Sequence, residues 1–287
     1  MTYENFKQDL ENFLTTHSYQ EKIIKNSRIK YIISGKEESP SIVFLNGLNM
    51  QEMWIKYIEA FETNYRVLML EYPITPQTNN ELLDIIAELL KELHINKPLI
   101  IGASDGGMHA QLFVRRFPNN VSGLVLVTTV SLNSSYAEGI RNEGSPKVYQ
   151  FIFKLIPYYF LKKRLVGKAS SYMNGESPSE QEYGKSFLET VAFDKYYKKK
   201  FIHIFGIVNE FGKHEKFKTE EFEPVRGKIL AMLPEKDLFS KEDRDMLVSL
   251  LPEPEVHHMR GGHLSFIMCY KEYIEIIQHF LRKINYV

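Results

Sequence analysis

The chain has 287 residues, 44% hydrophobic and 25% charged, enough for one large α/β domain or two small ones around a sizeable core. Its 36 basic residues balance 36 acidic ones, so nothing in the total charge favours nucleic acid as a partner. One cysteine, Cys269, excludes an internal disulfide and fits a reducing compartment, and no apolar run reaches the length of a membrane span. The first residues lack the charged and apolar regions of a secretory signal, so a cytoplasmic protein is expected. Histidines are scattered, and no metal-binding spacing, phosphate-cradling loop or dinucleotide fingerprint occurs; no metal or cofactor is expected.

In chain order, residues 4–16 read as a short amphipathic helix with Phe6, Leu10, Phe13 and Leu14 on one face. Residues 19–24 and 28–34 read as antiparallel strands joined at Lys25-Asn26-Ser27. The apolar run 41–45 is a buried strand ending at Asn46-Gly47, and 52–62 follows as a helix with Trp54, Ile55, Ile58 and Phe61 inward. Residues 66–70 form the next strand. Asn79 or Asn80 is the expected cap of a helix whose stripe is Leu82, Leu83, Ile86, Leu89, Leu90 and Leu93. Strand 98–102, a helix from 105 to 116 and strand 123–128 continue the alternation. Nearly continuous apolar strands separated by helices imply crossover units and a mostly parallel, twisted sheet with helices on both faces.

Between about 131 and 226 the alternation stops. The segment is helical and rich in aromatics, Tyr172, Phe193 and a stripe of Tyr197, Phe201, Ile204, Phe205, Val208 and Phe211 among them. Such stripes ordinarily pack a core, and the remaining surface lines a cavity in this reading. The basic runs Lys162-Lys163-Arg164 and Lys198-Lys199-Lys200 read as solvated faces, given the neutral total. The α/β pattern resumes with strand 228–233, a helix capped by Ser240, strand 254–259 and a closing helix over 272–284. Two segments, 1–130 and 227–287, thus form one α/β core interrupted by a helical insertion over 131–226. His257 and His258 lie in the last strand, one facing the core and the other a helix in this reading.

The stretch Pro98-Leu99-Ile100-Ile101-Gly102-Ala103-Ser104-Asp105-Gly106-Gly107-Met108 carries the chemistry. It reads as a buried strand, a tight turn and a helix start, with Ser104 at the apex. Glycines on either side allow a close approach that any side chain would block. A hydroxyl at a helix N-terminus sits where free N–H groups favour a developing oxyanion. A serine also needs a base, and the base an orienting acid. Beyond the carboxyl ends of later strands stand Asp237, in Pro234-Glu235-Lys236-Asp237, and His263, after Gly261-Gly262. Glu235, in the same loop, is a rival for the acid.

Gly-x-Ser-x-Gly between strand and helix, followed by an acid and then Gly-Gly-His-Leu, resembles the α/β-hydrolase superfamily over about 190 residues outside the insertion. The resemblance implies Ser104 as nucleophile, His263 as base and Asp237 at the acid position, since Val130-Ser131-Leu132-Asn133 offers no carboxylate. It implies an oxyanion hole from the backbone N–H groups of Asp105 and Leu48. Asn46 stands where the family commonly has histidine, and Glu71-Tyr72-Pro73-Ile74-Thr75-Pro76 lacks glycines common in that entrance loop. The residues 131–226 then correspond to a cap. The implied function is hydrolysis of an ester or related acyl bond of a small, partly apolar substrate through an acyl-enzyme. The same triad also serves acyltransferases and carbon–carbon bond hydrolases, and a catalytically weak ligand-binding homologue is a further alternative.

Overall fold

The computed structural model describes residues 5–142, 146–170, 173, 176–192 and 197–286; Glu4, Tyr172 and Phe193 lie outside the described residues. Helix α1 (Phe6–Thr16) buries Phe6 and Phe13. Strands β1 (Gln20–Ile24) and β2 (Ser27–Ser34) form a hairpin whose two turn residues, Lys25 and Asn26, both take positive φ. Then come β3 (Ser41–Leu45), α2 (Ile55–Phe61), β4 (Arg66–Glu71), α3 (Asn79–Glu92), β5 (Leu99–Ala103), α4 (Asp105–Arg116) and β6 (Gly123–Val127). Five helices follow without a strand among the described residues: α5 (Ser135–Asn142), α6 (Pro146–Leu155), α7 (Tyr158–Ser170), α8 (Pro178–Val191) and α9 (Tyr197–Asn209). The chain closes with β7 (Ile229–Lys236), α10 (Lys241–Leu250), β8 (Glu255–Gly262), α11 (Ser265–Met268) and α12 (Tyr270–Lys283).

The eight strands make one sheet in the order β1-β2-β4-β3-β5-β6-β7-β8. The two pairings of β2 are antiparallel; the rest are parallel. Every residue of β3, β5 and β6 is buried, as a parallel sheet covered on both faces requires. Successive residues alternate between layers: Val43 and Leu45 pack on the side of α3, α4 and α10, while Ile42 and Phe44 pack against α1, α2 and α12. From β3 the chain crosses to β4 on one side, and β5 then lies on the other. The crevice at this switch lies beyond the carboxyl ends of β3 and β5, where ligands enter open α/β sheets.

Four local expectations change. Thr78, not Asn79 or Asn80, caps α3: its hydroxyl accepts from Glu81 N at 3.2 Å, and Glu81 reaches back to Gln77 N at 2.7 Å. Asn79 is instead the first helical residue, buried with its amide 2.9 Å from His109 Nε2. Both β7 and β8 run past Pro234 and Arg260, because an irregular register between Pro234 and Lys236 keeps them paired as far as Gly262. Neither histidine of β8 enters the core. The strand is at the sheet edge, so His258 is exposed and half-buried His257 bonds Glu255 at 2.9 Å. Finally, the run at 198–200 is only partly solvated. Lys198 donates to the carbonyls of Lys154 and Ile156 at 2.9 and 2.8 Å, Lys200 pairs with Glu71 at 3.1 Å, and only Lys199 is exposed.

Candidate active site

Where β5 meets α4, the backbone turns so sharply that Ser104 takes φ 55° and ψ −126°, a region non-glycine residues rarely occupy. Strain of this kind costs about 1–3 kcal/mol and persists only where surrounding contacts enforce it. Those contacts are visible. Ser104 N donates to Val127 O at 3.1 Å, and its carbonyl accepts from Thr129 Oγ1 at 2.6 Å and Gly107 N at 3.0 Å. A Cβ at Gly102 would come within 2.5 Å of the Gly106 carbonyl oxygen, and one at Gly107 within 2.6 Å of Thr129 Cβ. Gly102 therefore lets strand and helix pack at backbone distance, and Gly107 makes room for the Thr129 side chain.

Ser104 Oγ lies 3.0 Å from His263 Nε2, and His263 Nδ1 lies 2.7 Å from Asp237 Oδ1. The three residues come from the ends of β5, β7 and β8, with Ser104 and His263 separated by 159 residues of sequence. An ionised carboxylate only accepts, so Nδ1 carries the proton and Nε2 presents its lone pair to the hydroxyl. Asp237's side chain is fully buried and that of His263 nearly so, which strengthens their interaction relative to water. The edge of Phe239 meets the imidazole at 5.4 Å between ring centres and limits its rotation. Glu235, the rival acid, is exposed on β7. His109 lies buried in α4 against Asn79.

The loop after β3 is also left-handed: Leu48 has φ 47°, ψ 29°, and Asn49 φ 56°. Asn49 holds it by exchanging two bonds with Tyr72 in the loop after β4, at 2.9 and 2.7 Å. This turns Leu48 N toward the elbow, where the amide is occupied. Asp105 Oδ1 accepts from Leu48 N at 2.8 Å. Asp105 is 6% exposed, and its Oδ2 has no hydrogen-bond partner. Burial pushes its carboxyl up to about 7, against the pull of the Leu48 and Asp105 amides and of His263. Gly-Ala-Ser-Asp-Gly displays that carboxylate, but a reading confined to backbone donors misses it.

Helix α9 closes over these loops through Tyr197 OH, which donates to Leu48 O at 3.1 Å, and through His203 Nε2, 2.6 Å from Pro76 O. Lys200 faces a polar cluster formed by Tyr19, Gln51, Glu52 and Glu71. Burial raises the Glu52 carboxyl above its ordinary value, and Lys200 draws it back. No group of three or more potential metal ligands occurs among the described residues. Nor is any helix among them long and apolar enough to cross a membrane.

The chain is 16% identical to an enol-lactonase from Burkholderia xenovorans LB400, with 92% of this chain and 100% of that one covered at a TM-score of 0.73. A thermophilic esterase from Thermogutta terrifontis is 16% identical, over 93% and 99% at 0.71. Naproxen esterase from Bacillus subtilis is 19% identical, over 96% and 97% at 0.64. At these identities the likeness is one of fold. No curated protein sequence matches the chain. The sequence family described as the alpha/beta hydrolase fold matches residues 40–175. That segment runs from β3 through the elbow and β6, the same sheet continues beyond it through β7 and β8, and the chain has the α/β-hydrolase fold.

Proposed function

We propose that the protein is a serine hydrolase that cleaves an ester or related acyl bond through an acyl-enzyme. The observation that carries this reading is the continuous path from Ser104 Oγ through His263 to buried Asp237, seated on a strained elbow. His263 removes the hydroxyl proton as Oγ attacks the acyl carbonyl. It then returns the proton to the leaving oxygen, and water releases the acyl group by the same two steps. Asp237 fixes the imidazole tautomer and stabilises the imidazolium. The Asp105 and Leu48 amides are the donors for the carbonyl oxygen, so Asp105's carboxylate gives up Leu48 N during the reaction.

Residues 131–226 form the cap in this reading. Its support is α9, whose Tyr197 bonds the loop that carries Leu48 and whose Phe201 adds apolar surface beside it. A small, partly apolar acyl compound is the proposed substrate class, and no cofactor enters the mechanism. One observation favours a second reading, a ligand-binding homologue of slow turnover: the carboxylate on Leu48 N places negative charge where an oxyanion would develop. Labelling with a fluorophosphonate probe separates the two. The hydrolase labels and Ser104→Ala does not; a folded wild-type chain that stays unlabelled overturns the first reading.

A further inference from the structure

Among the described residues, ten large apolar side chains stand exposed, and five of them fall within one stretch of ten residues. Phe151, Ile152, Leu155, Tyr159 and Phe160 are 61, 43, 68, 67 and 63% exposed at the corner where α6 turns into α7. Scattered exposed apolar residues are ordinary, whereas a contiguous group marks an interaction surface. The corner is also anchored from within. Phe153 packs on Phe201 and Phe205 at 5.8 and 5.3 Å, Tyr158 OH donates to the Ala192 carbonyl, and Lys198 closes the end of α6. The aromatic residues outside are thus displayed on a corner that is held from within.

Charge identifies the occupant. Residues 144–175 contain Lys147, Lys154, Lys162, Lys163, Arg164 and Lys168 and no Asp or Glu, so this stretch carries +6 and the remainder of the neutral chain −6. Lys154, Lys163 and Arg164 are exposed beside the apolar group. A second copy docked symmetrically on this face would set like charge against like charge. A bilayer with anionic headgroups matches both features, with cationic side chains at the phosphates and aromatic and aliphatic ones in the interfacial layer. We propose that the α6–α7 corner docks the protein peripherally on anionic phospholipid surfaces. The proposal goes beyond the hydrolase reading and does not depend on it.

The test is sedimentation of full-length Ser104→Ala protein, which cannot consume the lipid, with vesicles of phosphatidylcholine alone or mixed with phosphatidylglycerol. Binding is expected to the mixed vesicles only and to weaken as salt rises. Each basic residue near such a surface changes partitioning about 5-fold, so Lys163→Gln with Arg164→Gln lowers it about 25-fold. Phe151→Asp with Leu155→Asp abolishes it while the circular dichroism spectrum is unchanged, because both side chains point outward. Equal sedimentation with both vesicle types, or variants that bind like their parent, overturns the proposal. So does a dimer in solution that Phe151→Asp with Leu155→Asp dissociates, since a second copy then covers the face. Fluorophosphonate labelling of wild-type protein reports on the hydrolase reading separately.

Discussion

Asp105 brings two opposed groups into the same few ångströms. In the proposed mechanism its amide is a donor for the carbonyl oxygen that Ser104 attacks, while its carboxylate accepts from the other proposed donor, Leu48 N. Burial holds that carboxyl at about 7 in the folded chain, well above the ordinary 3.8. Between those values the folded chain keeps a proton that the unfolded chain has lost, so stability falls as pH rises through that window. Asp105→Asn keeps an acceptor for Leu48 N and removes the charge. Its melting temperature is expected to exceed that of wild type at pH 8, by a margin on the order of a few kcal/mol in stability, and the gap to close toward pH 4. Thermal unfolding across that range checks it; a gap independent of pH assigns the effect to packing. On an activated ester, the variant's kcat should exceed that of wild type most clearly above pH 7, where the carboxylate opposes a forming oxyanion.

The other site residues separate more simply. Asp237→Ala removes the group that fixes the imidazole, and loss of an oriented base lowers kcat by about 10²–10⁴-fold. Glu235→Ala, at an exposed side chain, leaves the rate near wild type. His263→Ala abolishes turnover with little change in melting temperature; a collapse of melting temperature would make His263 a structural residue instead.

At the scale of elements, legibility followed how far a feature depends on local chemistry. Runs such as 41–45 and 99–103 announce buried strands because a parallel sheet covered on both faces demands apolar residues at every position. The elbow was readable because Gly102 and Gly106 are imposed by backbone contact, whatever the substrate. Ends were less readable. Pro234 and the glycines after Arg260 look like stops, yet the pairing of β7 with β8 carries both strands on through an irregular register. The start of α3 failed for a related reason. Thr78, Asn79 and Asn80 are all capping types, and only the burial of Asn79 beside His109 decides among them. Thr78→Ala is therefore expected to cost about 1 kcal/mol and Asn80→Ala close to none, as measured by denaturant midpoints. The contact between Asp105 and Leu48 depends on two left-handed turns meeting across the sheet, and no local pattern contains it.

The whole molecule is coupled through α9, which joins the helical insertion to the loops that carry the site. Tyr197 bonds Leu48, His203 reaches Pro76 and Lys200 pairs with Glu71. The last link is the one most dependent on charge. Lys200 and Glu71 are largely shielded from water, and Glu52, already raised by burial, draws on the same ammonium. Lys200→Met keeps most of the stem's volume and removes the cation, leaving Glu71 beside Glu52 without it. Breaking a shielded pair from one side is expensive because the remaining charge stays desolvated. The expected loss is about 1–3 kcal/mol at pH 8, below the range for a fully buried pair because both side chains retain some exposure. Without Lys200, Glu52 holds its proton to still higher pH in the folded chain. The loss should therefore shrink toward pH 5, as Glu52 becomes protonated. Thermal unfolding at the two pH values reads this directly. Because the same helix anchors Leu48 through Tyr197, the variant should also raise KM for an activated ester more than it lowers kcat. A stability loss equal at both pH values would mean that α9 is held by its apolar face alone, through Phe201, Ile204 and Val208, and that the ion pair contributes nothing to the coupling.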